Sequence, residues 1–307
     1  MRAVWLREFG GPEVLVEEST PDPAPGPGQV VVDVAYAGIT FVETQVRAGR
    51  APWPVRLPTI PGNGVGGVVT GSADPALVGA TVVTATGGSG GYADRVAVNA
   101  DELIAVPPDI PLDRAVALLA DGRTATMLAD AVDLRAGDRV LVEAAAGGVG
   151  TLLVQLARAA GAVVVAAVGG PRKVAAVTGA DLVVDYRSDG WAHQVRAAVG
   201  ALDVVFDGVG GTIARTAFSL VAAGGRMTSH GAASGEWAGI PASTAAEHGV
   251  ALLSASRPTT SQARTYALRA FESLVPVIGQ RFPLARAADA HAAMESRTAI
   301  GKTLLET

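Results

Sequence analysis

The sequence predicts an α/β fold, with a doubly wound parallel sheet joined to a β-rich, turn-rich region. Three observations point there. Strand-like and helix-like segments alternate between residues 139 and 253, and a glycine-rich turn joins the first of these strands directly to a helix. The first 120 or so residues are short β-branched runs broken by Gly and Pro. With 307 residues, 49% of them hydrophobic and 17% charged, the chain can bury two cores. Aromatic residues make up only 5%, so those cores must be built from Val, Leu and Ala, which suits Val-rich parallel strands under Ala-rich helices.

Residues 3–6, 14–17, 30–37 and 66–69 read as strands, separated by stretches such as PDPAPGPGQ and PWPVRLPTIPGNG. Prolines at that density exclude long helices. From Leu112 the run LDRAVALLADGRTATMLADAV has helical spacing, and a Gly137–Asp138 turn leads into a strand at 139–144. Further strands are expected at 163–168, 182–184, 204–206, 226–229 and 250–253. A helical pattern covers 261–278, and a last strand covers 302–305.

The formal net charge of −5, without a long basic run, gives no electrostatic reason to expect nucleic acid or an anionic membrane as a partner. The absence of cysteine excludes disulfides and sulfur-ligated zinc or iron–sulfur sites. The start, MRAVWLREFGGPEV, carries Arg7 and Glu8 where an export signal needs apolar residues, and no apolar run approaches the roughly 20 residues of a membrane helix. A cytoplasmic protein acting on a small molecule is the expectation.

The sharpest motif is RVLVEAAAGGVGTLLVQLARAAGA. Val149, Leu152, Leu153, Leu156, Ala157 and Ala160 form one apolar stripe on its helix, Gln155 and Arg158 face away, and Gly161 can close the helix in the left-handed region. Bare Cα atoms at Gly147 and Gly148 let the backbone approach a pyrophosphate, while the helix N-terminus beyond Val149 offers free N–H groups and a positive dipole end. Gly150 permits close helix–strand packing. In strand–turn–helix context this is a dinucleotide-binding (Rossmann) signature; by itself a glycine-rich turn only needs unusual backbone angles. The next strand ends at Val168-Gly169-Gly170, where a site for NAD usually has an acid. Arg172 and Lys173 follow instead, and Lys173 is one of only two lysines. As a solvated pair they would sit against the dipole at a helix start, so a 2′-phosphate, and hence NADPH, is expected.

These motifs resemble the zinc-independent quinone oxidoreductases of the medium-chain dehydrogenase/reductase type (the zeta-crystallin-like family). The likeness runs through GITFVETQVRAG, PTIPGNGVGGVV, GGYADRVAV, GRTATMLADAVDLRAGDRVLVEAAAGGVG, GADLVVDYR, DVVFDGVGG, GGRMTSHGAASG and AHAAMESRTAIGKTLL. It implies a GroES-like catalytic domain from residues 1–120 and 260–307, with an NADPH-binding Rossmann domain, 121–259, inserted between them and the coenzyme in the cleft. It implies a homodimer, commonly paired through nucleotide-domain edge strands such as 250–253. Carried over by motif, Thr124 lies beside the nicotinamide, Gly147, Gly148, Val149 and Gly150 form the pyrophosphate turn, and Lys173 and Tyr186 grip the 2′-phosphate. Val209 and Gly210 lie along the coenzyme, Gly231 near the nicotinamide, and Lys302 lines the cleft; Lys302 also reads as an ordinary edge lysine.

The departures concern the acceptor. Where the family has Asn-x-x-Asp-x-Tyr, this chain has Thr40, Glu43 and Gln45, and Gly64 replaces an acid. Hydride transfer without metal requires hydrogen bonds to the developing anion, for which Thr40 and then Gln45 are the candidates. Thr40 equally reads as a hydroxyl bonded to local backbone, and Glu43 as a local cap rather than a proton relay. His193 and His291 are expected at the surface, and His230, at the end of a parallel strand, in a structural role. Loops 47–58 and 232–247 would shape the pocket. The expected activity is NADPH-dependent reduction of a quinone or an α,β-unsaturated carbonyl (enone or enoyl group). The alternative is an altered NADPH-binding protein serving as a redox sensor or interaction module. Without cysteine, a zinc alcohol dehydrogenase is rejected.

Overall fold

The computed structural model describes residues 1–51, 53–254 and 257–307; Pro52, in the loop expected to shape the acceptor pocket, lies outside them. The chain divides into two units, Met1–Ala120 with Val275–Thr307, and Asp121–Leu274.

The chain opens with β1 (Arg2–Leu6), β2 (Leu15–Ser19), β3 (Gln29–Ile39) and a short helix, α1 (Phe41–Arg47). Then come β4 (Gly64–Gly71), β5 (Thr81–Ala85), β6 (Arg95–Asn99) and β7 (Ile104–Ala105). Helix α2 (Leu112–Val132) has the bounds its apolar spacing predicts. Next are β8 (Arg139–Glu143), α3 (Gly148–Ala159), β9 (Val163–Val168), α4 (Pro171–Val174), β10 (Leu182–Asp185) and α5 (Trp191–Val199). They are followed by β11 (Leu202–Asp207), α6 (Gly211–Phe218), β12 (Val221–Ser229), α7 (Ala242–Glu247) and β13 (Ala251–Leu253). The chain closes with α8 (Thr260–Ser273), β14 (Ile278–Pro283), α9 (Ala287–Glu295) and β15 (Lys302–Glu306).

Among the described residues the second unit holds a six-stranded sheet in the order β10-β9-β8-β11-β12-β13, every pair parallel. The order reverses between β8 and β11, so this is the doubly wound sheet predicted, and ligands of such sheets bind beyond the carboxyl ends at that switch point. Its central strands β8, β9 and β11 are buried on both faces, which is why they read as apolar, Val-rich runs. On one face Leu141, Val165, Val205, Val195 and Phe218 share a core.

The first unit is built on β3, which pairs antiparallel with β4, β6 and β15, while β14 adds parallel to β15. Its core gathers Val32, Val65, Val69, Tyr92, Leu284 and Leu305 from both ends of the chain.

Two expectations need correction. The helix predicted over 261–278 ends at Ser273, with Leu274 extended at φ −114° and ψ 145°, and Ile278 opens β14. Pro276 explains the stop: it lacks an N–H and forces its predecessor out of helical angles. Accordingly α8 belongs to the second unit, where Arg269 pairs with Asp130 of α2 at 2.5 Å, and the boundary falls after Leu274 rather than at residue 259. His291, expected at the surface, is fully buried, and its Nε2 lies 2.9 Å from the Tyr92 hydroxyl. Position 291 falls on the face of α9 that packs inward with Ala287 and Ala290, and burial holds its imidazole neutral, its pKa pushed down to about 3.

Candidate functional site

The carboxyl ends of β8, β9, β10, β11 and β12 carry most of the residues singled out from the sequence. After β8, Gly147 is the N-cap of α3, and Gly148 and Val149 form its first turn. The glycines are imposed by contact rather than by left-handed angles. A Cβ on Gly150 would stand 2.3 Å from the carbonyl oxygen of Ala144 and 2.7 Å from the Cα of Ala145, so the helix start lies against the strand end as expected. A Cβ on Gly148 would meet the Asp121 carboxylate at 2.0 Å, a neighbour the motif did not reveal. Helix α3 buries Leu152, Leu153, Val154 and Ala157, so its inward face is turned slightly from the predicted stripe, with Val149, Leu156 and Ala160 half-buried. Gly161, at φ +78°, closes the helix as predicted.

Beyond β9, Gly169 faces Tyr186: a Cβ there would lie 2.8 Å from the phenol oxygen. The Gly170 N–H donates to Asp185 Oδ1 at 2.8 Å, and a Cβ on Gly170 would lie 3.4 Å from Arg187 Nη1. Arg172 is exposed and Lys173 half-buried in α4, which follows at once. This helix is a single turn of four residues, too short for the dipole conflict inferred from the sequence. Of the side chains beside Gly169 and Gly170, Tyr186 was expected and Arg187 was not singled out beforehand. The clue was available in its place directly after Tyr186 in VDYR.

At the switch point, Asp207 ends β11 with both carboxylate oxygens engaged. Oδ1 accepts the N–H groups of Val209 (2.9 Å) and Gly210 (2.7 Å), and Oδ2 accepts the Ser229 hydroxyl (2.7 Å). Gly210 caps α6 at φ +75°, and a Cβ there would lie 1.8 Å from the Glu236 carbonyl oxygen. Gly231 presses on Gly208, whose carbonyl oxygen would be 2.8 Å from an added Cβ. His230 lies against Gly208, where an added Cβ would stand 3.1 Å from its Nε2; its Nδ1 is unpartnered among the described residues, and desolvation lowers its pKa to about 4. Thr124 lies half-buried in α2, one turn beyond Asp121.

The first unit holds the other candidates. Thr40 is the N-cap of α1, and its N–H and hydroxyl both donate to Glu43 Oε2 at 2.5 Å, while Glu43 Oε1 accepts the Asn63 N–H at 3.1 Å. Glu43 therefore acts as a local cap. It is buried, and desolvation raises its pKa against those hydrogen bonds and the charge of Lys302. Gln45 is tied locally too, donating to Thr44 Oγ1 at 3.1 Å and accepting from Arg50 Nε at 3.2 Å. Lys302, at the start of β15, is 3% exposed, a buried cation rather than an ordinary edge lysine. Gly64 opens β4, and a Cβ there would lie 3.2 Å from Leu119.

Comparison with known proteins accounts for this assembly. The model of the alcohol dehydrogenase GroES-like domain matches residues 26–108, and a model described as zinc-binding dehydrogenase matches 178–305. Quinone oxidoreductase of Pseudomonas aeruginosa is 31% identical over 323 residues, covering 99% of each chain. The human quinone oxidoreductase is 31% identical, covering 95% of this chain and 93% of its own. The chain belongs to the quinone oxidoreductases. Family membership makes it an oxidoreductase of the medium-chain type, in which a parallel nucleotide-type sheet accompanies a GroES-like β-rich unit. Among solved structures, Escherichia coli quinone oxidoreductase complexed with NADPH superposes with a TM-score of 0.91 at 26% identity, covering 100% of both chains. The Thermus thermophilus quinone oxidoreductase, also solved with NADPH, gives 0.85 at 31% identity, again over 100% of both. In this member of the family the cysteine count is zero, so the zinc of the family model's description has no thiolate ligand here.

Proposed function

We propose that this quinone oxidoreductase family member is an NADPH-dependent reductase of quinones or α,β-unsaturated carbonyls. One observation carries the coenzyme assignment. The N-terminus of α3 is pressed onto the end of β8, so closely that a Cβ on Gly150 would stand 2.3 Å from the Ala144 oxygen. That cradle of bare backbone and free N–H groups fits a diphosphate. Tyr186 and Arg187 lie against Gly169 and Gly170, and Arg172 and Lys173 follow in α4, so cations and a phenol are at hand for a 2′-phosphate, while the acid at this strand end, Asp185, has its Oδ1 taken by the N–H groups of Gly170 and Arg187. Val209, Gly210 and Gly231 would lie along the coenzyme, with Thr124 near the nicotinamide and Lys302 as a further cation. The coenzyme, when bound, supplies the hydride.

The protein's own residues then hydrogen-bond the acceptor oxygen as negative charge builds on it. Thr40 is the first donor in this reading and Gln45 the second. The Thr40 hydroxyl donates to Glu43 Oε2, so in this reading it turns from that carboxyl to meet the acceptor. The local hydrogen bonds of Thr40 and Gln45 are the one observation that favours the alternative, a coenzyme-binding protein without turnover. In either case the pairing of two copies is assigned to β13, an edge strand with Leu252 40% exposed.

Calorimetric titration with NADPH and NADH, followed by side-by-side turnover of a quinone and an enone, tests the assignment. Tighter binding of NADPH with reduction of one acceptor is expected. Binding without reduction of either acceptor supports the alternative, and no heat with either coenzyme sinks both.

A further inference from the structure

Glu143 is a buried acid with no role in the functions described so far. It is the last residue of β8, 0% exposed, and neither carboxyl oxygen has a hydrogen-bond partner of ordinary geometry among the described residues. Its neighbour on β11 is Asp207, one step beyond the paired residues Val142 and Phe206. Asp207 accepts three hydrogen bonds, from Val209, Gly210 and Ser229. A carboxylate accepts about four. Two adjacent buried carboxylates cannot both be charged, and burial together with Asp207 drives the Glu143 pKa well above 4.5, with only the Val209 amide favouring the charged form. The other titratable groups near these strand ends are His230, neutral after β12, and Asp121, against Gly148.

The position matters because each of the two acids leads directly into a turn. Ala144, next along the chain from Glu143, sits at φ +49° and accepts the Gly147 N–H at 2.8 Å, which closes the turn into α3. Asp207 meanwhile shapes the turn into α6 through Val209 and Gly210.

We propose that Glu143 is a positioning residue which, as a neutral acid donating its proton to Asp207, fastens the diphosphate turn after β8 to the Val209–Gly210 turn after β11. The inference rests on the coenzyme reading above for its consequence, since both turns are assigned to NADPH. An ionised Glu143 repels Asp207 and loosens both turns, whereas a neutral amide keeps the link.

Difference infrared spectroscopy of the full-length protein, wild type minus E143Q, tests the protonation at about pH 7 without coenzyme. A protonated-carboxyl band present in the wild type and lost in E143Q is expected; identical spectra in that region overturn the proposal. Titration with NADPH tests the consequence. E143Q, which still donates, is expected to bind within about twofold of wild type, and E143L, which cannot, about tenfold more weakly. E143L binding as tightly as wild type overturns the positioning role, and where E143L fails to fold the infrared comparison with E143Q decides. A wild-type protein that shows the band but binds no NADPH sinks the coenzyme reading and leaves the Glu143–Asp207 link standing.

Discussion

The strand ends of the six-stranded sheet and the start of α1 handle candidate residues in opposite ways. At the sheet, main-chain atoms set the terms. Gly150 and Gly210 are held by carbonyl oxygens that would lie 2.3 Å and 1.8 Å from any added Cβ. At α1, side chains bind one another: Thr40 to Glu43, Gln45 to Thr44 and Arg50. A site made of backbone tolerates few residue types and leaves a motif, whereas a site made of side chains can exchange its members while the fold persists.

The largest effect is expected where backbone is most crowded. Gly150→Val places a branched side chain against Ala144 and Ala145, and overpacking on that scale costs about 3 kcal/mol. Urea unfolding with helical circular dichroism checks it; a midpoint equal to that of wild type would show that the strand end yields, and would erase the contrast. Next is the double variant Arg172→Ala with Lys173→Ala. Loss of two charge-assisted contacts to a phosphate is expected to weaken NADPH about a hundredfold and to leave NADH unchanged. Equal weakening of both coenzymes would move the pair away from the 2′-phosphate.

The contrast also explains what could be read from the sequence alone. The parallel strands, α2, the turn around Gly147 and the left-handed Gly161 were legible because each depends on local residue type and period. Asp121 beside Gly148, Arg187 beside Gly170 and the Glu143–Asp207 pair were not, because each joins residues from different elements. His291 was misplaced for a related reason: helical spacing shows that one face of α9 is buried, but not that Tyr92, 199 residues earlier, waits there to bond it. The start of α1 lay between these extremes. Thr-x-x-Glu at 40–43 spells a capping box in the sequence, and the cap forms, yet the pattern is silent on whether the same hydroxyl also serves an acceptor.

Thr40→Val sharpens that last point. If Thr40 donates to the acceptor, turnover is expected to fall about tenfold while NADPH affinity holds, and Thr40→Ser restores it. Loss of the cap alone costs about 1 kcal/mol of stability and leaves turnover per folded molecule untouched. Unfolding midpoints measured beside kcat separate the two, and a change only in the midpoint would return Thr40 to a structural role.

The smallest effect compares the units through two histidines, buried His291 in the first and half-buried His230 in the second. Both are held neutral, with pKa values pushed down from 6.5 to about 3 and about 4. The unfolded chain therefore takes up protons below pH 6.5 that the native chain refuses until far lower pH, so stability falls as the solution is acidified through that window. Each histidine is expected to remove about 1 kcal/mol by about pH 5.5, at roughly 1.4 kcal/mol per pH unit. His291→Gln, which can still bond Tyr92, and His230→Gln should each flatten the acid limb by one such contribution. Amide exchange followed by mass spectrometry assigns the change to a unit: His291→Gln should alter protection among residues 1–120 and 275–307, and His230→Gln among 121–274. An acid limb equally steep in His291→Gln would mean that the native ring accepts its proton near the ordinary value, which a fully buried imidazole beside Arg47 has no means to stabilise.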